Sequence, residues 1–145
     1  MLKVENLSIR ISATGQLAVK NLSFEVQKGE TFALVGESGS GKSLTALALL
    51  RLLPEAVYIT GGYAVLESTD LFALTEAQMR QVRGGRIAMI FQEPATCLNP
   101  VLRVGDQLME SIRTHTSYRG ADLKEKAIWW LNKVGISEAS QRIDD

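Results

Sequence analysis

The chain has 145 residues, 46% of them hydrophobic, with 16 basic residues set against 16 acidic ones. That length favours a single domain burying about 70% of its unfolded surface, and the composition excludes a disordered chain. The balanced charge gives no reason to expect a nucleic-acid partner, and the single cysteine, Cys97, suits a reducing compartment because it cannot close an internal disulfide.

The N-terminal stretch MLKVENLSIR carries Lys3 and Glu5 and lacks an apolar core segment, so no signal peptide is expected. The longest apolar run, Leu44 to Leu53, is interrupted by Thr45 and Arg51. It falls far short of the ~20 residues that a membrane span requires. A role at a membrane would therefore depend on a partner.

In chain order, LKVENLSIRIS alternates apolar and polar residues with a change of phase at Glu5–Asn6, which predicts a half-buried strand with a bulge. ATGQ reads as a turn, LAVKNLSFEV as a second alternating strand, and QKGE as another turn before a continuous apolar strand, TFALV. From Lys42 to Leu53 apolar residues occupy nearly every face, which predicts a buried helix ended by Pro54. YAVLE reads as a short strand. Thr75 with Gln78 matches a capping box, opening a helix that stops near RGG. RIAMIF is then a buried strand and QEPATCLNP a loop. Helices are expected from Val104 to His115 and from Asp122 to Lys133, the second with Ala127, Ile128, Leu131 and Val134 on one face. Strands alternating with helices in this order make an α/β protein.

Between the apolar strand TFALV and the apolar helix lies GESGSGKS, which fits G-x4-G-K-[ST] in its required strand–loop–helix setting. The spacing has a chemical reason. Glycines let the backbone take positive φ and approach an anion without a Cβ in the way. Successive N–H groups then converge into a nest for phosphate oxygens, and the helix N-terminus adds its positive dipole end. Gly36, Glu37, Ser38, Gly39, Ser40, Gly41, Lys42 and Ser43 thus form the expected nucleotide site. Lys42 supplies charge to the phosphates, and the Ser43 hydroxyl is a hard oxygen ligand suited to Mg²⁺. The alternative, a chance glycine–serine turn, does not account for the flanking strand and helix.

Gln92 and Glu93 follow the RIAMIF strand, where ligands of open α/β sheets bind. On the residues alone, Gln92 reaches a metal or water through its amide oxygen, or these are loop residues without a role. Taken together, LVGESGSGKSLTALALLRLLP, ITGG and RIAMIFQEPATCLNPVLRVGDQLMESI resemble the ATP-binding subunit of an ABC transporter, in the branch of bacterial oligopeptide, dipeptide, glutathione and nickel importers. The resemblance covers essentially the whole chain. It implies a P-loop NTPase core with an N-terminal antiparallel β subdomain over about residues 1–100, and the start of a helical subdomain over about 101–145. It also implies that Gln92 touches Mg²⁺ and couples the site to the helical subdomain, with ATP and Mg²⁺ as cofactors. The implied partners are transmembrane permease subunits, a second ATP-binding subunit and, indirectly, an extracytoplasmic solute-binding protein. The implied location is cytoplasmic, peripheral on the inner face of the cell membrane.

Some positions depart from that pattern. Ile11 stands where an aromatic ring is expected on adenine, and Ala95 and Cys97 replace a usual methionine and serine; Cys97 is read as a small packing residue. The 145 residues contain no LSGGQ signature, no apolar strand ending in Asp-Glu and no switch histidine, since His115 falls at a helix end. The sequence therefore reads as an ATP-binding segment that stops before those motifs, and it offers no catalytic residue. Two other classes fit less well. A small P-loop kinase or regulatory nucleotide-binding protein needs its own metal-binding Asp. A non-catalytic interaction fragment needs only residues 101–145.

Overall fold

The computed structural model describes residues 1–92 and 97–145, so the expectations placed on Glu93 and Ala95 lie outside the described residues. They form two compact units, Met1–Ala88 and Met89–Asp145.

In the first unit the two alternating segments form β1 (Leu2–Ile11) and β2 (Leu17–Val26). The turn between them closes where Gly15 takes a φ of 69°. Its N–H donates to the Ile11 carbonyl, and the Ile11 N–H donates to Gln16, both at 2.9 Å. With β3 (Val57–Leu66) and β4 (Thr69–Asp70) they make an antiparallel sheet in the order β2-β1-β3-β4. The phase change read at Glu5–Asn6 is a bulge: Asn6 has a φ of 52°, and the register slips between Val4 and Leu7 toward β2 and between Glu5 and Ser8 toward β3. Side chains alternate strictly along an unbroken strand, so without the bulge Val4 and Leu7 would face opposite sides. With it, Val4, Leu7 and Ile9 are all buried in the same core. Gly62 makes room for this detour, because a Cβ there would lie 2.5 Å from the Glu5 carbonyl oxygen.

That core is completed by Ala48 and Leu49 of α1 (Lys42–Leu49) and by Met79 and Val82 of α2 (Glu76–Val82). Each large side chain so buried contributes about 1.5–3 kcal/mol. The capping box at Thr75 is present, with the Gln78 N–H donating to Thr75 Oγ1 at 3.3 Å and the Thr75 N–H donating to Gln78 Oε1 at 2.9 Å.

Three expectations are corrected here. Helix α1 stops at Leu49, well before Pro54. Arg51 takes a φ of 53°, its N–H donates to Ala48 and the Leu52 N–H donates to Leu47, which together close a Schellman turn. The segments TFALV and RIAMIF are not strands. A strand needs a ladder partner, and among the described residues neither segment has one apart from an isolated bridge between Arg83 and Ile87. Their apolar side chains are correspondingly open, with Val35 89% and Ile90 96% exposed.

The second unit is helical: α3 (Val104–His115), α4 (Gly120–Lys133) and α5 (Ala139–Arg142). Ala127 and Leu131 of α4 are buried with Ala139 and Ile143, against Leu108, Met109 and Ile112 of α3. Val134, expected on that buried face, is instead the C-cap of α4 and is exposed. Chain 143–145 folds back to satisfy the start of α3: the Gly105 N–H donates to Ile143 at 2.8 Å and the Val104 N–H to Asp145 at 3.0 Å. The approach is so close that a Cβ on Gly105 would lie 2.2 Å from the Ile143 carbonyl oxygen.

Candidate nucleotide-binding site

Within the first unit, the loop from Gly36 to Gly41 closes around the amino group of Lys42. The Lys42 ammonium donates to the Gly36 carbonyl at 2.7 Å, to the Glu37 carbonyl at 2.6 Å and to Ser40 Oγ at 3.3 Å. The Ser40 N–H bonds the Glu37 carbonyl at 3.2 Å, so the loop turns back on itself between those residues. Gly41 is the N-cap of α1 in the left-handed region, φ 87° and ψ 4°, and no side chain caps the helix. The first N–H groups of α1, which a helix cannot satisfy internally, are thereby left to a ligand.

One contact explains why glycine is required at 41. A Cβ there would lie 2.6 Å from both the Ala18 carbonyl oxygen and Val19 Cγ2, so β2 closes directly behind the loop. At Gly36 a Cβ would meet only Ser40 Oγ, at 2.6 Å, a side chain able to rotate away. Thr45 fixes the junction from below: its buried hydroxyl and its N–H both donate to the Gly41 carbonyl, at 2.9 and 2.8 Å. A cavity of about 250 Å³ opens beside the loop, bounded by Ala18 and Val19 of β2 and by Gly36, Ser40 and Lys42. The loop therefore offers what an oligophosphate needs: an uncapped helix start, a positive charge and, at Gly36, Gly39 and Gly41, backbone without a Cβ. The exposed Ser43 hydroxyl stands at the same helix start and is a suitable oxygen ligand for Mg²⁺.

The other expected residues are placed elsewhere. Gln92 belongs to the second unit and is exposed. Ile11 ends β1, half-buried, with its main chain used in the Gly15 turn. His115 is the last residue of α3 and is exposed. Cys97 is exposed rather than packed in a core, because it lies in the turn approaching Asn99–Pro100 at the surface. Among the described residues no group of His, Cys, Asp and Glu is arranged to hold a metal ion.

Sequence reading overlooked two supporting side chains. Arg83 reaches back from the end of α2 to the end of α1, donating to the Leu50 carbonyl at 2.7 Å and to Arg51 at 3.3 Å, while pairing with Glu76 at 2.6 Å. The hydrogen bond from Arg83 holds the Glu76 carboxyl below the usual carboxylate range. Gln107 braces the Asn99–Pro100 turn in the second unit: it accepts from the Asn99 N–H at 2.8 Å and donates to the Asn99 and Leu102 carbonyls at 3.1 Å each. The Asn-Pro dipeptide signalled the turn but not its brace, and nothing signalled Arg83 while the end of α1 was misplaced.

Residues 19–145 match the family model described as ABC transporter. A putative peptide import ATP-binding protein of Brucella abortus (strain 2308) is 44% identical over 147 residues, spanning 100% of this chain and 44% of that protein. The glutathione import ATP-binding protein GsiA of Escherichia coli (strain K12) is 50% identical over 147 residues, spanning 96% of this chain and 24% of that protein. The chain thus spans less than half the length of both curated relatives. Among solved structures, a dimeric ATP-binding cassette in a post-hydrolysis state, bound to ADP and Pi, superposes with a TM-score of 0.82 at 21% identity, covering 99% of this chain and 60% of that one. At that identity the likeness is one of fold.

Proposed function

The chain belongs to the ABC transporter family, and from that premise we propose that it is an ATP-binding part of an importer for peptides or related small solutes. The observation that carries this reading is the closed loop at the uncapped start of α1, with the Lys42 ammonium held by the Gly36 and Glu37 carbonyls at 2.7 and 2.6 Å. The names of the Brucella and Escherichia relatives support the solute class.

In this reading the N–H groups of Gly36 to Ser43 bind the phosphates of ATP, and Lys42 exchanges its loop carbonyls for phosphate oxygens. Ser43 and Gln92 are the residues to hold Mg²⁺, which would supply further neutralisation of the phosphate charge. The residue at the loop fits that role, since the exposed Ser43 hydroxyl is an oxygen donor beside solvent, which suits an ion that keeps several waters. Residues from about 101 onward form the start of the helical subdomain. The partners are transmembrane permease subunits, a second ATP-binding subunit and, through the permease, an extracytoplasmic solute-binding protein, on the cytoplasmic face of the membrane. Among the described residues no helix is long and apolar enough to cross a membrane.

Titration of the protein with ATP, followed calorimetrically with Mg²⁺ and with EDTA, tests the reading. Lys42→Ala removes a charge-assisted contact typically worth ~1.5–3 kcal/mol, so affinity should fall roughly 10- to 150-fold in both buffers. Unchanged ATP binding by Lys42→Ala removes the phosphate loop from the proposal.

A further inference from the structure

We propose that Arg83 is a positioning residue for the nucleotide loop: its guanidinium grips the C-terminal end of α1 and, through that helix, fixes Lys42 and the N–H groups at the other end. Resting on the reading of that loop as a phosphate site, this role belongs to a residue that touches no phosphate. The eight residues of α1 make a helix only about 12 Å long. A helix that short does not hold itself together in water, so its order comes from what packs against it. No side chain caps its N-terminal end, which is what leaves those N–H groups to a ligand. Restraint therefore falls to the buried face and to the C-terminal end.

Past Leu49 the chain reverses at Arg51 using the Leu47 and Ala48 carbonyls. The next two carbonyls, of Leu50 and Arg51, receive no main-chain N–H among the described residues. Leu50 is only 5% exposed, and a buried carbonyl left without a donor is costly. Arg83 serves both, its Nε donating to Leu50 at 2.7 Å and its Nη2 to Arg51 at 3.3 Å. Glu76 orients the fork by accepting from Nη1 at 2.6 Å and from Nη2 at 3.3 Å. The Arg83 side chain is 19% exposed, so solvent competes little for these bonds. One planar group thus serves two carbonyls and a carboxylate together, which a single ammonium does not. Its charge also complements the negative end of the helix dipole. A second stitch runs the other way, from the Arg51 guanidinium to the Leu74 carbonyl just ahead of α2. The path to the loop is short. Ala48 and Leu49 adjoin the gripped carbonyls and share the core with Met79 and Val82. Thr45, a turn nearer the loop, is buried and bonded twice to the Gly41 carbonyl. A shift at the far end of so short a helix therefore reaches Gly41 and Lys42, and an anion nest works only while its N–H groups converge.

Glu76 provides the control that separates positioning from stability. Glu76→Gln breaks the ion pair yet leaves an amide oxygen for the guanidinium, so the grip on the carbonyls survives. Arg83→Met keeps an apolar stem and removes every donor. Calorimetric titration of the whole chain with ATP, below the melting temperature of each variant, should show Arg83→Met weaker by at least about threefold in both Mg²⁺ and EDTA. Glu76→Gln should stay within that factor. Amide hydrogen exchange of the nucleotide-free chain gives a readout that needs no ATP. The Thr45 N–H, which bonds the Gly41 carbonyl at 2.8 Å, should exchange faster in Arg83→Met by a similar factor of about three or more and not in Glu76→Gln. Arg83→Lys returns one charged donor and should recover part of both losses. Should circular dichroism show Arg83→Met unfolded, Arg83→Gln is held to the same two thresholds. Parent-like affinity or parent-like Thr45 exchange overturns the proposal, as does faster exchange confined to the Arg51 and Leu52 N–H groups. Equal losses in Arg83→Met and Glu76→Gln overturn it too, because they assign the effect to stability. A parent chain that binds ATP no better than Lys42→Ala instead fails the phosphate reading itself, and this role for Arg83 falls with it.

Discussion

At the scale of single residues, the candidate site depends on where main-chain and side-chain donors point. Lys42 and Ser43 are neighbours in sequence yet serve different chemistry: one is a point charge and the other a neutral oxygen. Ser43→Ala leaves the N–H nest and the lysine in place, so ATP affinity should drop with Mg²⁺ present and stay nearly constant in EDTA. Gln92→Ala should follow the same pattern with a smaller drop, because its amide comes from the other compact unit rather than from the loop. Parallel titrations of both variants in the two buffers check this. Equal losses with and without metal would assign Gln92 to the fold rather than the ion. The loop closed around Lys42 was legible because phosphate chemistry fixes both residue type and spacing over eight positions, whereas the role proposed for Gln92 came from the family resemblance alone. Arg83 and Gln107 were not legible, because they act on main-chain carbonyls whose positions depend on where other elements end.

At the scale of elements, local rules read well and long-range pairing did not. The Thr75 capping box, the bulge at Asn6 and the span of α3 all follow from chemistry within a few residues. TFALV and RIAMIF carry the composition of buried strands, but a strand exists only through its neighbours, and no propensity supplies those. Two junctions make the energetics testable. Gly105→Ala drives a Cβ into the Ile143 carbonyl, so α3 must part from residues 143–145 and lose two main-chain bonds. The expected cost is about 2–4 kcal/mol, visible as a lower urea midpoint followed by the tryptophans of α4. The second junction is Arg83 with Glu76. Because the folded Glu76 carboxyl titrates below the usual carboxylate range, its ion pair stabilises the fold above that range and is lost as the pH falls through its lowered value. Glu76→Gln should therefore melt earlier than the parent at pH 7, with the two melting curves converging as the pH falls through the lowered carboxyl value. A difference that does not shrink as the pH is lowered would assign the effect to packing.

At the scale of the whole molecule, binding and turnover separate. Hydrolysis requires a group that positions or deprotonates the attacking water, in addition to groups that hold the phosphates. The described residues of the first unit supply a loop, a lysine and a hydroxyl around the phosphate site, and the 145 residues include no apolar strand delivering Asp-Glu beside it. Glu37, the one acidic residue of the loop, contributes its main-chain carbonyl to Lys42. The 145-residue polypeptide should accordingly bind ATP and release negligible phosphate at steady state. Contaminating ATPase is the main hazard in such a measurement, and Lys42→Ala resolves it: a contaminant's activity survives in the variant preparation, whereas turnover by this site disappears with its lysine. Steady-state phosphate release that Lys42→Ala abolishes would show that the polypeptide completes a hydrolytic site on its own. Tight binding with background-level release in both preparations is the expected result, because an oligophosphate is held by the start of one helix while its hydrolysis needs an acid placed across from it.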